Sequence, residues 1–189
     1  MARIKEEFEK KLKDLTEYVA LATVNANKYQ KTNLGIIKHL TDKNVPGVYV
    51  TLNKPFETMQ NIFKRQKIGT EIIIFIDAVT QTAGGDIEKT DKCLFIGSPD
   101  NLSDISIAMD QAVRALPTKE KFVFFDSLST LLMYNNVETV SRFIHFLAGK
   151  MRVWKVKGII VSLRKKQDKE LIDALMQFCD VVLDFDKKK

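Results

Sequence analysis

Phe122-Val123-Phe124-Phe125-Asp126-Ser127-Leu128-Ser129 sets four large apolar residues between Lys121 and Asp126. A strand with one wet face alternates apolar and polar residues, so an unbroken run of this length predicts a strand covered on both faces. Similar runs recur along the chain. Glu71-Ile72-Ile73-Ile74-Phe75-Ile76-Asp77 is again apolar and ends in an acid, and Val48-Tyr49-Val50-Thr51-Leu52 and Gly158-Ile159-Ile160-Val161-Ser162-Leu163 read alike. Shorter apolar runs occupy residues 18–24, 93–97 and 181–185.

Between these runs the apolar spacing becomes helical. Ile4, Phe8, Leu12, Leu15 and Val19 form one stripe at spacings of four, four, three and four, which predicts an amphipathic helix at the start of the chain. Residues 31–40 return to helical spacing. Pro46-Gly47 marks a turn, Pro55 suits the first position of a helix, and Phe56, Met59, Ile62 and Phe63 form that helix's inner face. Asn101 or Ser103 can cap a helix reaching about Leu116, and further helices are expected over residues 137–153 and 168–178. Residues 78–92 are polar and hold Gly84-Gly85, which predicts a long mobile loop. Strands alternating with helices predict an α/β fold with a mainly parallel sheet, helices on both faces and right-handed crossovers. The expected organisation is an N-terminal helix over residues 1–17 and one domain over residues 18–189.

The chain has 189 residues, 45% of them apolar, enough to bury a core without disulfides or metals. Lys and Arg number 30 against 24 Asp and Glu, for a net charge of +6. Part of that excess sits in Arg164-Lys165-Lys166 and Lys187-Lys188-Lys189, and no aromatic–basic interleaving of the kind that stacks bases accompanies it. A nucleic-acid-binding module is therefore the weaker alternative to a solvated basic surface. No apolar run approaches the roughly 18 residues a membrane helix needs, and the polar start does not read as a secretory signal. Cys93 and Cys179 lie far apart without zinc or redox spacing, which predicts reduced thiols in a cytoplasmic protein. His39 and His145 sit in helical patterns with no second ligand near them.

Ligands of open parallel sheets bind beyond the carboxyl ends of the strands. The residues there are 25–32, Asn53-Lys54, Asp77, Asp126-Ser127 and 162–166. A phosphate-binding loop reads G-x-x-x-x-G-K-[ST] between a strand and a helix. The same place here reads Asn25-Ala26-Asn27-Lys28-Tyr29-Gln30-Lys31-Thr32. The Lys-Thr pair is present, but Asn25 and Gln30 stand where glycines let backbone N–H groups converge on phosphate. Gln30 also puts a side chain where a phosphate would lie. The strand ending in Asp126 has the form of a Walker B strand, whose carboxylate holds Mg²⁺. Asp77 has a similar position.

Together these segments resemble the RecA superfamily, and specifically its KaiC-like branch, which includes archaeal KaiC homologues and the ATP-binding protein of the archaeal flagellar motor. The resemblance runs from the altered loop through residues 47–52 and Phe125-Asp126-Ser127-Leu128-Ser129 to the last two strands. It implies a three-layer RecA-like P-loop NTPase fold with ATP and Mg²⁺ as cofactors. The implied ligands are Asn25, Lys28, Gln30, Lys31, Thr32 and Asp126, with Thr32 and Asp126 on the metal. In KaiC-like ATPases acidic residues after the second strand activate the attacking water, whereas this chain has Asn53 and Lys54 there. Phosphoryl transfer depends on positioning and electrostatics. Loss of both the glycines and the acid therefore predicts a protein without ATP hydrolysis that binds a protein partner or another copy of itself. An ATPase with a noncanonical loop is the alternative, and a receiver domain built around Asp77 a more distant one.

Overall fold

The computed structural model describes residues 2–164 and 169–186. Lys165, Lys166, Asp168 and the three terminal lysines, named above for their charge or as a helix start, lie outside the described residues. In chain order the elements are α1 (Ala2–Leu12), β1 (Tyr18–Val24), a 3₁₀ turn (Ala26–Lys28), α2 (Tyr29–Asp42), β2 (Gly47–Thr51), α3 (Phe56–Arg65), β3 (Ile73–Asp77) and β4 (Cys93–Phe95). There follow α4 (Leu102–Ala115), β5 (Phe122–Asp126), α5 (Leu128–Tyr134), α6 (Val137–Val153), β6 (Lys157–Leu163), α7 (Lys169–Met176) and β7 (Val181–Asp184).

The seven strands form one sheet in the order β4-β3-β2-β5-β6-β1-β7, and every neighbouring pair is parallel. Alternate side chains of each strand feed two separate cores. Val19, Leu21, Val48, Val50, Val123, Phe125 and Ile160 face α4, α5, α6 and α7. Ala20, Ala22, Tyr49, Phe122, Phe124, Ile159 and Val161 face α1, α2 and α3. Double coverage explains why these strands read as unbroken apolar runs. The layers are those of a three-layer RecA-like α/β fold.

Several boundaries differ from the sequence pattern. The helical stripe read from Ile4 to Val19 ends at Leu12, because residues from Tyr18 onward pair with β6 from Lys157. Leu15 and Val19 continue the spacing only by coincidence, and pairing with a buried sheet outweighs it. Pro55 is the residue before α3 rather than its first residue. Of the two capping candidates, Asn101 serves, its side chain accepting from the Asp104 N–H. The spacing does not predict the short helix α5, since its seven residues, Leu128-Ser129-Thr130-Leu131-Leu132-Met133-Tyr134, are too few to show a period.

Residues 78–92 contain no helix or strand and are folded back by turns such as Gly84 N–H to the Gln81 carbonyl. Asp77 organises their start. Its buried carboxylate accepts from the backbone N–H of Phe56, Val79 and Thr80 at 2.7–2.9 Å and from the Thr80 hydroxyl at 2.6 Å. Asp77 therefore caps α3 and pins the loop, and four donors leave it no room to act as a phosphate acceptor, which removes the receiver alternative.

The connections define where a site can form. After β2 the chain crosses the face of α1–α3, and after β5 it crosses the opposite face through α5 and α6. Adjacent strands whose chains leave to opposite faces open a crevice at their carboxyl ends. Asn53 and Asp126-Ser127 stand at that crevice.

Gly47 lets β2 and β5 approach this closely. A Cβ there would lie 2.4 Å from ring atoms of Phe122, its neighbour in register. Overpacking a filled core costs about 1–3 kcal/mol. Gly47→Ala is expected to lower the unfolding free energy by that amount, seen by circular dichroism as a lower urea midpoint with the slope of the transition unchanged.

Candidate functional site

Asp126 ends β5 at the crevice and is 5% exposed. A buried carboxyl group must find donors or keep its proton. Here the donors come from three elements. The Tyr49 hydroxyl, rising from β2, donates to Oδ2 at 2.5 Å, and the Tyr29 hydroxyl, from the first turn of α2, donates to Oδ1. Asn53 Nδ2, beyond β2, lies 3.2 Å from Oδ1 and 3.0 Å from the Tyr29 hydroxyl. The Asn53 side-chain carbonyl oxygen accepts from the Thr130 hydroxyl, which lies 3.2 Å from Ser127 Oγ. The peptide bond between Asp126 and Ser127 is cis.

Each tether has a local reason. Tyr49 is wedged by aromatic neighbours, stacked on Phe124 at 5.2 Å between ring centroids and edge-on to Phe63 at 5.3 Å. Its hydroxyl can therefore reach only toward the strand end. Tyr29 comes within reach because the chain does not loop outward after β1. Residues Ala26–Lys28 make a tight 3₁₀ turn and α2 starts at once. The second serine of the Asp-Ser-Leu-Ser segment braces the framework. Ser129 Oγ accepts from Leu163 N–H at 2.8 Å and ties the start of α5 to the end of β6.

The front of the 25–32 segment is held by a second carboxylate. Asp186, just beyond β7, accepts from the backbone N–H of Asn25 at 2.6 Å and from the Lys28 ammonium at 3.0 Å. Thus an internal anion already neutralises Lys28. Thr32 is buried in α2 and shares no hydrogen bond with Asp126, while Gln30 and Lys31 are exposed. The structure gathers Asn25 and Lys28 around Asp186, and Asp126 with Tyr29, Tyr49 and Asn53. It does not join these two groups to each other or to Thr32 by a hydrogen bond.

A cavity of about 20 Å³ lies between Tyr29, Asn33, Tyr49, Met59 and Asp126. That is room for about one water molecule. Asn33 Oδ1 is buried beside it without a hydrogen-bond partner among the described residues. Burial pushes the Asp126 pKa up to about 8. Among the described residues there is no cluster of three or more His, Cys, Asp or Glu that could hold a metal ion.

Sequence reasoning does not reach Tyr29, Tyr49, Thr130 or Asp186 as site residues. Tyr29 alone leaves a signal, as an aromatic residue inside a segment that must stay open to admit a phosphate. Cys93 is buried and Cys179 half-buried, both free, and burial raises the Cys179 thiol to about 11. Neither is poised as a nucleophile. His145 stacks on Phe178 at 4.4 Å and has no part in the site.

Residues 57–185 match a family described only as a family of unknown function, DUF7504. The chain belongs to this family. The matched segment runs from α3 through β7 and leaves out β1, the 25–32 segment and β2. No curated protein matches. Among solved structures, KaiC-like protein PH0186 of the hyperthermophilic archaeon Pyrococcus horikoshii aligns with a TM-score of 0.64 at 17% identity, covering 91% of this chain and 74% of that one. An uncharacterized protein of the same organism, PH0321, solved in complex with an unknown peptide, aligns with a TM-score of 0.72 at 13% identity, covering 95% and 82%. These likenesses give the chain a KaiC-like RecA-type fold. No helix among the described residues is long and apolar enough to cross a membrane.

The pH dependence of stability follows from Asp126. An unfolded aspartyl group titrates near about 3.9, whereas the folded group keeps its proton up to about 8. Between these values the native state binds the extra proton. The contribution is therefore complete below about pH 4 and is lost as pH rises toward 8, with a slope of at most about 1.4 kcal/mol per pH unit. Urea titrations between pH 5 and 8 are expected to show wild-type stability falling more steeply than that of Asp126→Asn. Parallel curves would refute this.

Proposed function

We propose that this chain is a KaiC-like RecA-fold protein that no longer hydrolyses ATP and acts in the cytoplasm by binding a protein partner or another copy of itself. The observation that carries the reading is the engagement of Asp126 by Tyr29, Tyr49 and Asn53. The carboxyl group that would hold Mg²⁺ is buried and surrounded by side chains of its own chain. One of them, Asn53, stands where the KaiC-like resemblance expects an acid. Another, Tyr29, lies inside the segment that would wrap the phosphates.

The loop itself supports the same reading. Phosphate binding uses converging backbone N–H groups and an uncompensated cation. The 3₁₀ turn directs residues 26–28 straight into α2, Asn25 N–H and Lys28 are taken by Asp186, and Thr32 is buried. Of the residues that the resemblance would assign to nucleotide, Lys28, Gln30 and Lys31 keep exposed side chains, Lys28 while paired with Asp186. This donor set does not fit a magnesium-bridged triphosphate. No catalytic step is therefore assigned through one.

Binding to a partner has separate support. Met133, Tyr134 and Val137, at the junction of α5 and α6, are 77%, 46% and 56% exposed. Met133 and Tyr134 end the helix that starts beside the Asp126 cluster and Val137 begins the next one, and grouped exposed apolar side chains mark interaction surfaces. A neighbour in fold, PH0321, has been solved with a peptide bound, which makes peptide recognition a sensible first screen.

Thermal unfolding with and without millimolar MgATP tests the reading. A ligand at a hundred times its dissociation constant adds about 2.7 kcal/mol, which for a domain of this size raises Tm by roughly 5–10 °C. No shift is expected, and no steady-state ATP turnover. A shift, or turnover that disappears in Lys31→Ala, would overturn the proposal.

A further inference from the structure

The inner face of α6 buries Val140, Phe143, Ile144, Leu147, Ala148 and Met151 in the core on that side of the sheet. A helix covered on one side ordinarily presents polar residues on the other. The outer ridge of α6 instead carries Phe146 and Val153, 49% and 77% exposed, and the neighbouring α4 adds Ile107 at 56%. Asp110 joins the two helices, accepting from Trp154 Nε1 at 2.9 Å and lying 3.4 Å from the Lys150 ammonium. Ile107 is one turn before Asp110, and Phe146 one turn before Lys150. Both helices run from the carboxyl to the amino edge of the sheet, so these two side chains lie on the same side of that tether. The Lys150 ammonium also stands 5.9 Å from the centre of the Phe146 ring and 5.6 Å from that of Trp154. A cation over a ring face attracts it. Phe146 is therefore held in place while exposed, and covering it costs little freedom.

Gly149 is the second unusual feature. It sits on the same ridge in the interior of α6, three residues after Phe146 and four before Val153. Glycine weakens a helix interior relative to alanine. A Cβ built there would meet no described atom within 4 Å, so packing within the chain gives no reason for it. A bare stretch of backbone beside an exposed aromatic ring suits the close approach of another helix.

The charges along α6 select which helix. Its first turn carries Glu138 and its last turn Lys150 and Arg152. Against a second copy turned end for end, each acidic first turn lies beside the other copy's basic last turn, and the helix dipoles oppose each other favourably. With a twofold axis near Phe146, each ring comes within a turn of the other copy's Gly149 and reaches the space that the glycine leaves. Glu138, two turns before Phe146, then faces the other copy near Arg152. Arg142 and Lys150 approach each other across the axis with their charges already met, Arg142 by Glu138 at 3.2 Å and Lys150 by Asp110.

We propose that the outer ridge of α6, with Ile107 beside it, is a self-association surface on which a second copy of this chain docks antiparallel; this rests on the reading above, of a chain that acts by binding, and names the partner. A single pair of crossing helices is a small interface, so association in about the micromolar range is expected.

Sedimentation equilibrium of the intact chain at about 1–200 µM, a span that brackets such affinities, tests this. A monomer–dimer equilibrium is expected. Phe146→Glu, altered at an exposed position, should keep the wild-type Tm and weaken dimerisation at least tenfold. Gly149→Gln strengthens the helix while filling the gap, so it should raise Tm and still weaken dimerisation at least tenfold, a combination that a merely structural role would not give. A dimer unaffected by either change would overturn the inference by placing the contact elsewhere. A monomer throughout the range would also overturn it, including one whose ridge holds a different protein instead. The MgATP experiment above measures nucleotide binding and turnover separately, so the two readings fail by different observations.

Discussion

A carboxyl group at the end of a strand covered on both faces cannot be solvated in the usual way. It must be supplied with donors from the chain or keep its proton. Asp126 takes donors from three places in the chain, and that requirement links parts of the molecule remote in sequence. Tyr49 reaches it from β2, Tyr29 from the start of α2 and Asn53 from the turn before α3. The geometry of the crevice follows from satisfying this one group. Once three side chains converge on it, little space remains, and the cavity beside it is about 20 Å³.

Asp186 applies the same principle to the neighbouring segment. Its carboxylate takes a backbone N–H and an ammonium group that a phosphate could otherwise have used. An anion supplied by the chain is always present, whereas a nucleotide must compete with it. The two carboxyl groups together tie the 25–32 segment and the ends of β2 and β5 to one another and to the chain beyond β7. The aromatic side chains beneath the Asp126 cluster hold it in place. Tyr49 is fixed by Phe63, Phe75 and Phe124, so its hydroxyl cannot withdraw without disturbing the core under α3.

Much of the fold was legible in the chain. The unbroken apolar runs around Phe124, Ile74 and Ile160 marked strands covered on both faces, and the helix over Val137–Val153 stands where its spacing placed it. Patterns near element ends were less informative. The stripe through Leu15 and Val19 continued past the true end of α1, because periodicity records which residues are apolar and not what they pack against. Asp77 and Asp126 looked alike in sequence, each ending an apolar strand. Only their surroundings separate them: Asp77 accepts backbone N–H groups and caps α3, while Asp126 meets side-chain hydroxyls at the crevice.

The alternation of strands and helices and the parallel sheet could both be read along the linear chain. They are matters of local composition and spacing, which a chain displays directly. The cluster around Asp126 emerged only with the three-dimensional arrangement. Tyr29, Asn53, Asp126 and Asp186 are up to 161 positions from the groups they bond. Their meeting depends on the strand order, which brings β2 beside β5 and β7 beside β1. A hydrogen bond acts over about 3 Å. Such contacts leave no trace in a chain until the sheet has set its strands side by side.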